Sequence, residues 1–298
     1  MKFDLQIKEI IEKAEARFCE QLYHTADMIC ADKELNIVRL SGPTCAGKTT
    51  AAKMLVKRMN ENGKNAVFVS IDDFYYDCDR LERISRENGF DGIDYDSPAT
   101  IDTEAMADFL DELFARGEAM CPRFDFTTGK REVGSKIVIG ENDILILEGI
   151  QAVYPQIIEL LGKRKSDCIF IMPEDSISVG NVCFEPNEIR LMRRIVRDSN
   201  FRDTTATETM ELWKGVRTNE EKNIFPYVNG CKYRINSTMP YEIGVLRPYL
   251  EKILAASSTD RLYEKYKKEF SEMLDKVRVA EPIPSSYIDE DYLYQEFV

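Results

Sequence analysis

The chain has 298 residues, 44% of them hydrophobic, which suffices for one large α/β domain with or without appendages and excludes a disordered chain. Its net charge of −13 disfavours nucleic acid and anionic membranes as partners, so an anionic ligand needs a local basic site. There is no apolar run of about 18 residues and no signal-peptide core at the first residues. We therefore expect a cytoplasmic protein that contacts no membrane.

The cysteines and the histidine limit the kinds of catalytic and metal site that the chain can contain. Eight cysteines with no Cys-x-x-Cys pair predict reduced, mostly buried thiols. The only histidine is His24, on a predicted helix far from the candidate site described below. Its isolation disfavours a Ser-His-Asp triad, a zinc site and a histidine base. If the protein abstracts a proton, a carboxylate is the expected base.

The first elements surround a glycine-rich loop. Apolar residues at helical spacing predict an amphipathic helix over residues 5–30, and a short strand over 35–40 follows. Residues 50–62 are predicted to form a helix that Gly63 ends. Between strand and helix, the chain matches Gly-x-x-x-x-Gly-Lys-Ser/Thr, the phosphate-binding loop. The loop and the residue after it are Gly42, Pro43, Thr44, Cys45, Ala46, Gly47, Lys48, Thr49 and Thr50.

This spacing has a physical reason. The glycines let the backbone wrap around phosphate oxygens with its N–H groups pointing inward, at the positive end of the following helix. Lys48 is expected to reach the β- and γ-phosphates, and the Thr49 hydroxyl to hold Mg²⁺. Cys45 could be reactive near a helix N-terminus, but we favour the role of a small residue that fills the loop.

Two further predicted strands end on acids. The apolar run at 66–71 predicts a strand buried on both faces and ends on Asp72 and Asp73. The run at 143–149 ends on Glu148, as in a Walker B strand, which predicts a Mg²⁺ ligand, direct or through water. Ligands of open α/β sheets bind beyond the carboxyl ends of strands. A capping role is the alternative for these acids.

The middle of the chain predicts a loop, a helix and a β-hairpin. Residues 77–101 are acidic and predicted to be a loop with Gly89, Gly92 and Pro98, and a helix over 103–116 closes at Gly117. Alternating runs over 120–140 around Thr-Gly-Lys at 128–130 predict a β-hairpin that projects from the sheet.

A further strand at 168–172 precedes a predicted helix at 186–200 with four arginines, Arg190, Arg193, Arg194 and Arg197. Because Arg190, Arg193 or Arg194, and Arg197 share one face, the helix is interpreted as a lid that closes on triphosphate. A solvated basic face that pairs with surface acids is the alternative.

The rest of the chain is predicted to be mainly helical. Helices are expected over 205–222, 241–256 and 260–277, with a last strand at 233–236. An acidic, aromatic tail follows Pro282 and Pro284 and is expected to dock on the body or on a neighbouring subunit, which leaves a homo-oligomer open. Without internal repeats, we interpret an N-terminal helical extension (1–31), one phosphate-loop domain (32–256, lid about 186–205) and a C-terminal helix and tail (257–298).

Five stretches together resemble the uridine–cytidine kinase and phosphoribulokinase superfamily, in order from about residue 35 to 250. They are Ser-Ile-Asp-Asp-Phe-Tyr at 70–75, Tyr-Asp-Ser-Pro at 95–98 with Ile-Asp at 101–102, Pro-Arg-Phe-Asp-Phe at 122–126 with Arg131, Leu-Glu-Gly-Ile at 147–150, and Arg-Leu-Met-Arg-Arg-Ile-Val-Arg-Asp at 190–198. The resemblance implies a P-loop α/β three-layer sandwich with a mostly parallel sheet, a β-hairpin substrate flap and a helical lid.

The resemblance also implies roles for single residues. Asp72 would be the general base on an acceptor hydroxyl and would touch Mg²⁺ through water. Asp96 and Arg190 would hold acceptor hydroxyls, Phe124 would pack near the acceptor, and Asp73 and Tyr75 would belong to the same substrate site. Arg194, Arg197 and Arg202 would clamp the triphosphate, with Arg197 and Lys48 stabilising the moving phosphoryl group.

Three departures from the family pattern concern the acceptor. The hairpin has Phe124 where uridine kinases often have Tyr, Gly129 lies in the stretch where they carry a base-reading His, and Ser97 replaces the His after the aspartate. A pocket that hydrogen-bonds a pyrimidine discriminates through such polar partners. The prediction is an ATP–Mg²⁺-dependent kinase of a nucleoside-like acceptor, with another small polyol or sugar, or a nucleotide-binding regulator without transferase activity, as alternatives.

Overall fold

The structure, a computed structural model, describes residues 2–87, 89 and 93–298. Its strands are β1 (Ile37–Ser41), β2 (Ala66–Ser70), β3 (Glu118–Asp125), β4 (Lys130–Val138), β5 (Ile144–Glu148), β6 (Ser166–Met172), β7 (Ile177–Val179), β8 (Val182–Phe184) and β9 (Tyr233–Asn236). Its α-helices are α1 (Lys2–Ala31), α2 (Lys48–Glu61), α3 (Cys78–Glu87), α4 (Thr103–Arg116), α5 (Pro155–Leu160), α6 (Pro186–Phe201), α7 (Ala206–Asn219), α8 (Glu242–Ala256) and α9 (Tyr263–Val277).

A parallel sheet organises the chain. Its strand order is β2-β5-β1-β6-β9, and every pairing between these neighbours is parallel. Strands β1 and β5 are buried along their whole length, as their continuous apolar sequences predict for strands covered on both faces. Because the strands run in one direction, their carboxyl ends lie at one edge, where Leu40 pairs with Glu148.

Helices cover both faces of this sheet. One hydrophobic core contains apolar residues of α1, α2, α6 and α8, and a second contains residues of α4 and α5. The predicted three-layer α/β architecture is therefore confirmed. No helix in the described part of the chain is long and apolar enough to cross a bilayer.

The prediction of a loop over 77–101 is wrong at its beginning, where α3 forms. Six of its ten residues are charged, which hid the helical spacing of the few residues that it buries, Leu81 and Ser85. Gly89 is described and follows the helix, whereas residues 88 and 90–92, including Gly92, lie outside the described residues.

The predicted hairpin is confirmed. Strands β3 and β4 form a separate antiparallel two-stranded sheet in which Phe124 faces Arg131 and Asp125 faces Lys130. Gly129 closes the turn with a φ of 66°, a backbone conformation that favours glycine. A second small hairpin, β7 with β8, precedes α6 and was not predicted.

The prediction that the cysteines are reduced is wrong for one pair. Cys168 on β6 and Cys231 before β9 form a disulfide, with their Cα atoms 4.4 Å apart. Both flank the pairing of β6 with β9, so the bond joins two neighbouring segments of the sheet. Scattered spacing in the sequence carries no signal for such a pair, which the fold alone brings together.

Both ends of the described chain pack on the body. Phe18 and Leu22 of α1 are buried, and Leu293, Tyr294 and Phe297 of the tail have no exposed surface. All five belong to the core that covers the phosphate-loop side of the sheet. The aromatic tail therefore docks on the body, the first of the two placements that the sequence left open.

Candidate active site

The phosphate loop lies between β1 and α2, as predicted. Cys45 and Gly47 have positive φ values of 57° and 92°, so the chain reverses sharply before the helix begins. A Cβ atom at Gly42 would lie 2.1 Å from the carbonyl oxygen of Ile171 on β6. Only glycine therefore fits where the loop passes the neighbouring strand.

Two arginines of α6 hold the loop through its carbonyl oxygens. Arg190 donates a hydrogen bond to the oxygen of Thr44 at 3.2 Å, and Arg193 donates one to the oxygen of Cys45 at 3.2 Å. Lys48 is half-buried and donates from its Nζ to the oxygen of Pro43 at 3.1 Å. Since the carbonyls are occupied by these donors, the loop can direct its N–H groups to an anion.

The same two arginines belong to buried ion pairs. Both lack exposed surface. Arg190 binds both carboxylate oxygens of Glu220 at 2.6 and 2.7 Å, and Arg193 binds those of Glu242 at 2.7 and 3.0 Å. Burial opposes the charge of Arg193, but Glu242 outweighs it and raises the pKa of the guanidinium. The geometry makes Arg190 a support of the loop in this conformation, whereas the sequence predicted an acceptor ligand.

The other lid arginines gather around one acid. Asp198 accepts from Arg197 at 2.6 Å and from Arg194 at 3.2 Å, and it lies 3.8 Å from Arg202. Although burial favours the neutral acid, these three cations lower the pKa of Asp198. Loss of solvation and the neighbouring cations Arg197 and Arg194 lower the pKa of Arg202, although its side chain stays 57% exposed. An anion placed there would relieve the repulsion among these cations.

Glu148 stands at the end of β5, paired with Leu40 just before the loop. Its side chain is buried, and burial raises its pKa to about 7 against the opposing effect of Lys48. Asp72, Glu296 and Asp73 also raise the pKa of Glu148 through their negative charges. Electrostatic coupling thus links the loop lysine, the strand-end acid and the acid pair.

Asp72 and Asp73 lie in a short 3₁₀ helix, Ile71–Phe74, directly after β2. Asp72 accepts a hydrogen bond from Nε2 of Gln151 at 2.9 Å, and the same amide lies 2.8 Å from the hydroxyl of Tyr75. Asp73 accepts from the backbone N–H of Phe124 at 3.1 Å, which ties the hairpin to the strand end.

Gln151 is a residue that the sequence analysis missed. It is fully buried in the turn after β5, and its Oε1 has no hydrogen-bond partner. A lone glutamine three residues after the end of an apolar strand resembles any turn residue, so the sequence contains no signal for it. Its position fixes the orientation of the Asp72 carboxylate.

Asp96 lies in the segment that precedes α4 and keeps part of its surface exposed. The protein around it removes water from its carboxyl group and raises its pKa to about 6, while Arg194 acts in the opposite direction. The backbone oxygen of Asp96 accepts from the hydroxyl of Tyr154 at 2.8 Å. The electrostatic coupling of Asp96 to Asp72 places both acids in one region.

Four aromatic rings form a cluster next to these acids, defined here as the aromatic cluster: Tyr75, Tyr95, Phe124 and Phe126. Their centroids lie 5.0 to 6.4 Å apart, mostly edge to face. Tyr75 and Phe124 are buried, whereas Phe126 is 56% exposed. The hydroxyl of Tyr75 donates to the backbone oxygen of Tyr95 at 2.8 Å. The cluster offers apolar ring faces and edges beside a carboxylate.

The donor set fits Mg²⁺ bound together with phosphate. Thr49 has an exposed side chain on the first turn of α2, and Glu148 and Asp72 supply carboxylates at the adjoining strand ends. In the described part of the chain no group of three or more His, Cys, Asp or Glu side chains could hold a metal by itself. Magnesium usually relies on one or two carboxylates, water and substrate phosphates.

Known proteins resemble this chain in sequence and fold. The model of the family described as "Phosphoribulokinase / Uridine kinase family" matches residues 37–239. A uridine kinase of Ureaplasma parvum is 28% identical over 178 residues, which are 60% of this chain and 76% of that protein. The uridine/cytidine kinase UKL1 of Arabidopsis thaliana is 27% identical over 185 residues, 61% of this chain and 33% of that protein.

Solved structures at lower identity agree in fold. A putative fructose transport system kinase from Silicibacter has a TM-score of 0.50 at 18% identity, covering 68% of this chain and 95% of its own. YFH7 from Saccharomyces cerevisiae, a putative P-loop kinase, has a TM-score of 0.52 at 13% identity, covering 72% and 98%.

The matched family region contains β1, the phosphate loop, the strand-end acids Asp72, Asp73 and Glu148, the hairpin and the arginine helix. Membership of this kinase family supports phosphotransferase activity. The chain belongs to the phosphoribulokinase / uridine kinase family and is a small-molecule kinase of that family.

Proposed function

We propose that the protein transfers the γ-phosphoryl group of ATP, with Mg²⁺, to a hydroxyl of a nucleoside-like acceptor. The observation that carries this proposal is the hydrogen bond from Gln151 that holds Asp72 beside the strand-end acid Glu148 and the loop lysine Lys48. A carboxylate fixed at that edge suits a base for an acceptor hydroxyl. A protein that only senses nucleotide would have no use for it.

The acceptor side supports a polyhydroxylated molecule with a flat or apolar part. Asp96 and Asp72 offer acceptors for sugar hydroxyls, and the aromatic cluster offers ring contacts. The rings of Phe124 and Phe126 carry no polar atom, so a base would be read by packing and shape. This chemistry is compatible with a ribonucleoside and also with another small polyol.

The transfer is an in-line displacement. The acceptor oxygen forms a bond to the γ-phosphorus, the bond to the bridging β–γ oxygen breaks, and the hydroxyl proton passes to Asp72 while ADP leaves. Lys48, Arg194, Arg197 and Arg202 stabilise the negative charge on the moving group. Thr49, Glu148 and Asp72 would hold Mg²⁺, which neutralises phosphate charge when bound.

The test is ADP release from Mg²⁺-ATP by purified protein against nucleosides, sugars and polyols. We expect turnover with a ribonucleoside at a rate far above the ATPase background. Turnover with a polyol alone would retain the kinase and replace the acceptor class. Tight ATP binding with no turnover on any acceptor would overturn the proposal in favour of a nucleotide-binding regulator.

The assignment of the base is tested by Asp72→Asn. Because the amide cannot take the proton, we expect kcat to fall by about 10²- to 10⁴-fold. The Kd for ATP in the absence of magnesium should change little, since the phosphate loop is intact. An Asp72→Asn enzyme with wild-type turnover would contradict the assignment.

A further inference from the structure

The C-terminal tail lies directly on the phosphate loop. Leu293 is fully buried, and its Cδ1 lies 2.3 Å from the position that a Cβ atom at Gly47 would take. The helical turn Leu293–Glu296 contacts α2. These residues lie outside the region that the family model matches, which ends at residue 239, so the family pattern assigns them no role.

Within this tail, Glu296 binds the start of α2. Its Oε2 accepts a hydrogen bond from the backbone N–H of Thr50 at 3.2 Å and one from the Thr50 hydroxyl at 3.0 Å. The intrahelical bonding of α2 begins one residue later, with the N–H of Ala51 donating to Gly47 at 3.0 Å. The N–H of Thr50 is therefore one of the donors that a phosphate loop offers to an anion, and a carboxylate takes it.

The tail backbone is anchored independently of Glu296. The N–H of Leu293 donates to the buried Glu15 at 3.3 Å, and the hydroxyl of Tyr294 donates to Glu242. The guanidinium of Arg193 lies 5.4 Å from the ring centroid of Tyr294 and 5.1 Å from that of Phe297. Glu296 itself is only half-buried, so its side chain can turn away while the backbone stays.

We propose that Glu296 occupies a phosphate subsite of the nucleotide site and competes with the nucleotide for Thr50. The inference rests on the proposed use of this loop for ATP. A phosphate and a carboxylate cannot share one N–H donor without repulsion, and Glu296 already raises the pKa of Glu148 through its charge. The side chain of Glu296 must therefore leave Thr50 when nucleotide binds. As a result, the wild-type protein binds ATP more weakly than the same loop would without Glu296.

The experiment compares Glu296→Gln with a matched control in the same tail. Glu290→Gln removes the same charge from an exposed position outside the described contacts with the loop. The Kd of the full chain for ATP is measured by titration calorimetry, with and without magnesium, and thermal unfolding checks both folds. We expect Glu296→Gln to tighten ATP binding about 3- to 10-fold, the size of one charge at a helix N-terminus.

The control should leave the Kd unchanged, and the gain from Glu296→Gln should shrink at high salt. Unchanged or weaker ATP binding in Glu296→Gln would overturn the proposal, as would an equal gain in Glu290→Gln or failure of wild type and variant alike to bind ATP. Because binding is measured without an acceptor, tighter binding in a protein with no turnover would sustain this inference while the proposed function fails.

Discussion

At the scale of single residues, the candidate base depends on a neighbour outside the family motifs. Gln151 donates one amide to Asp72 and leaves its own Oε1 unpaired in a buried position. An unpaired buried oxygen costs free energy of folding. The protein therefore keeps a glutamine there at the expense of stability, which fits a residue that orients a reacting carboxylate.

We predict that Gln151→Leu lowers kcat about 10- to 100-fold, because a carboxylate that loses its orientation no longer meets the acceptor hydroxyl well. The Kd for ATP and the free energy of unfolding should stay nearly unchanged, because leucine removes the unpaired oxygen but also loses the hydrogen bonds to Asp72 and Tyr75. Gln156→Leu is the control, because its amide donates to the oxygen of Pro98 and not to Asp72. An equal loss of kcat in both variants, or a large loss of stability in Gln151→Leu alone, would contradict an orienting role.

Asp96 leads to a pH prediction. Burial raises its pKa to about 6, so the carboxylate is present above that pH and is lost as the pH falls through it. If it binds an acceptor hydroxyl as a carboxylate, kcat/KM for the acceptor should fall about tenfold per pH unit below this point. Asp96→Asn should be slow at all pH values and lack that limb, as steady-state rates from pH 5 to 8 would show.

Single residues also show which parts of the candidate site the sequence could predict and which it could not. The phosphate loop and the acids at the two strand ends are local patterns, so their placement followed from spacing alone. The Gln151–Asp72 contact joins residues 79 apart, and the Glu296–Thr50 contact joins residues 246 apart. Nothing in either short stretch encodes a partner at such distances, so only the folded chain reveals them.

At the scale of elements, helix α6 has two functions. Arg194 and Arg197 pair with Asp198, whereas Arg190 and Arg193 hold the loop carbonyls and pair with buried acids. The sequence predicted the helix and its shared arginine face, but spacing cannot tell a cation that awaits phosphate from one that already has a carboxylate partner. The partners Glu220 and Glu242 come from elements that follow later in the chain.

We predict that Arg190→Met destabilises the protein by about 3 kcal/mol, because it leaves the buried Glu220 with fewer compensating charges. Arg217 still pairs with Glu220 in that variant, which limits the loss. The double variant Arg190→Met/Glu220→Gln should recover at least half of the lost stability. Urea denaturation of the wild type, both single variants and the double variant measures the coupling, and purely additive losses would contradict it.

At the scale of the whole molecule, one hydrophobic core extends across the three segments, 1–31, 32–256 and 257–298, into which the sequence analysis divided the chain. Residues of α1, of the sheet and of the tail share one continuous core. The proposed kinase segment at 32–256 therefore has part of its surface covered by residues on either side of it. Contacts between such distant parts depend on packing. The periodicity of apolar residues predicts which face of each element is buried, but not which other element packs against it.

We predict that Phe297→Ala costs about 3 to 5 kcal/mol of unfolding free energy, because it empties a fully buried site in that core. Phe201→Ala is the control, since that ring is 60% exposed at the end of α6 and should change stability by less than about 0.5 kcal/mol. Chemical denaturation of both variants measures the difference. Equal stability of the two variants would show that the tail is not part of the cooperative core.

The strand order affects how the chain folds while the ribosome synthesises it. Strands β1 and β2 are not neighbours in the sheet, because β5 lies between them. The pairing of Ile37 with Leu145 joins residues on the order of a hundred positions apart, and such distant contacts slow folding. Until the ribosome has made β5, neither β1 nor β2 can pair with it. The phosphate loop therefore forms late, and the apolar strands beside it depend on protection from aggregation until β5 emerges.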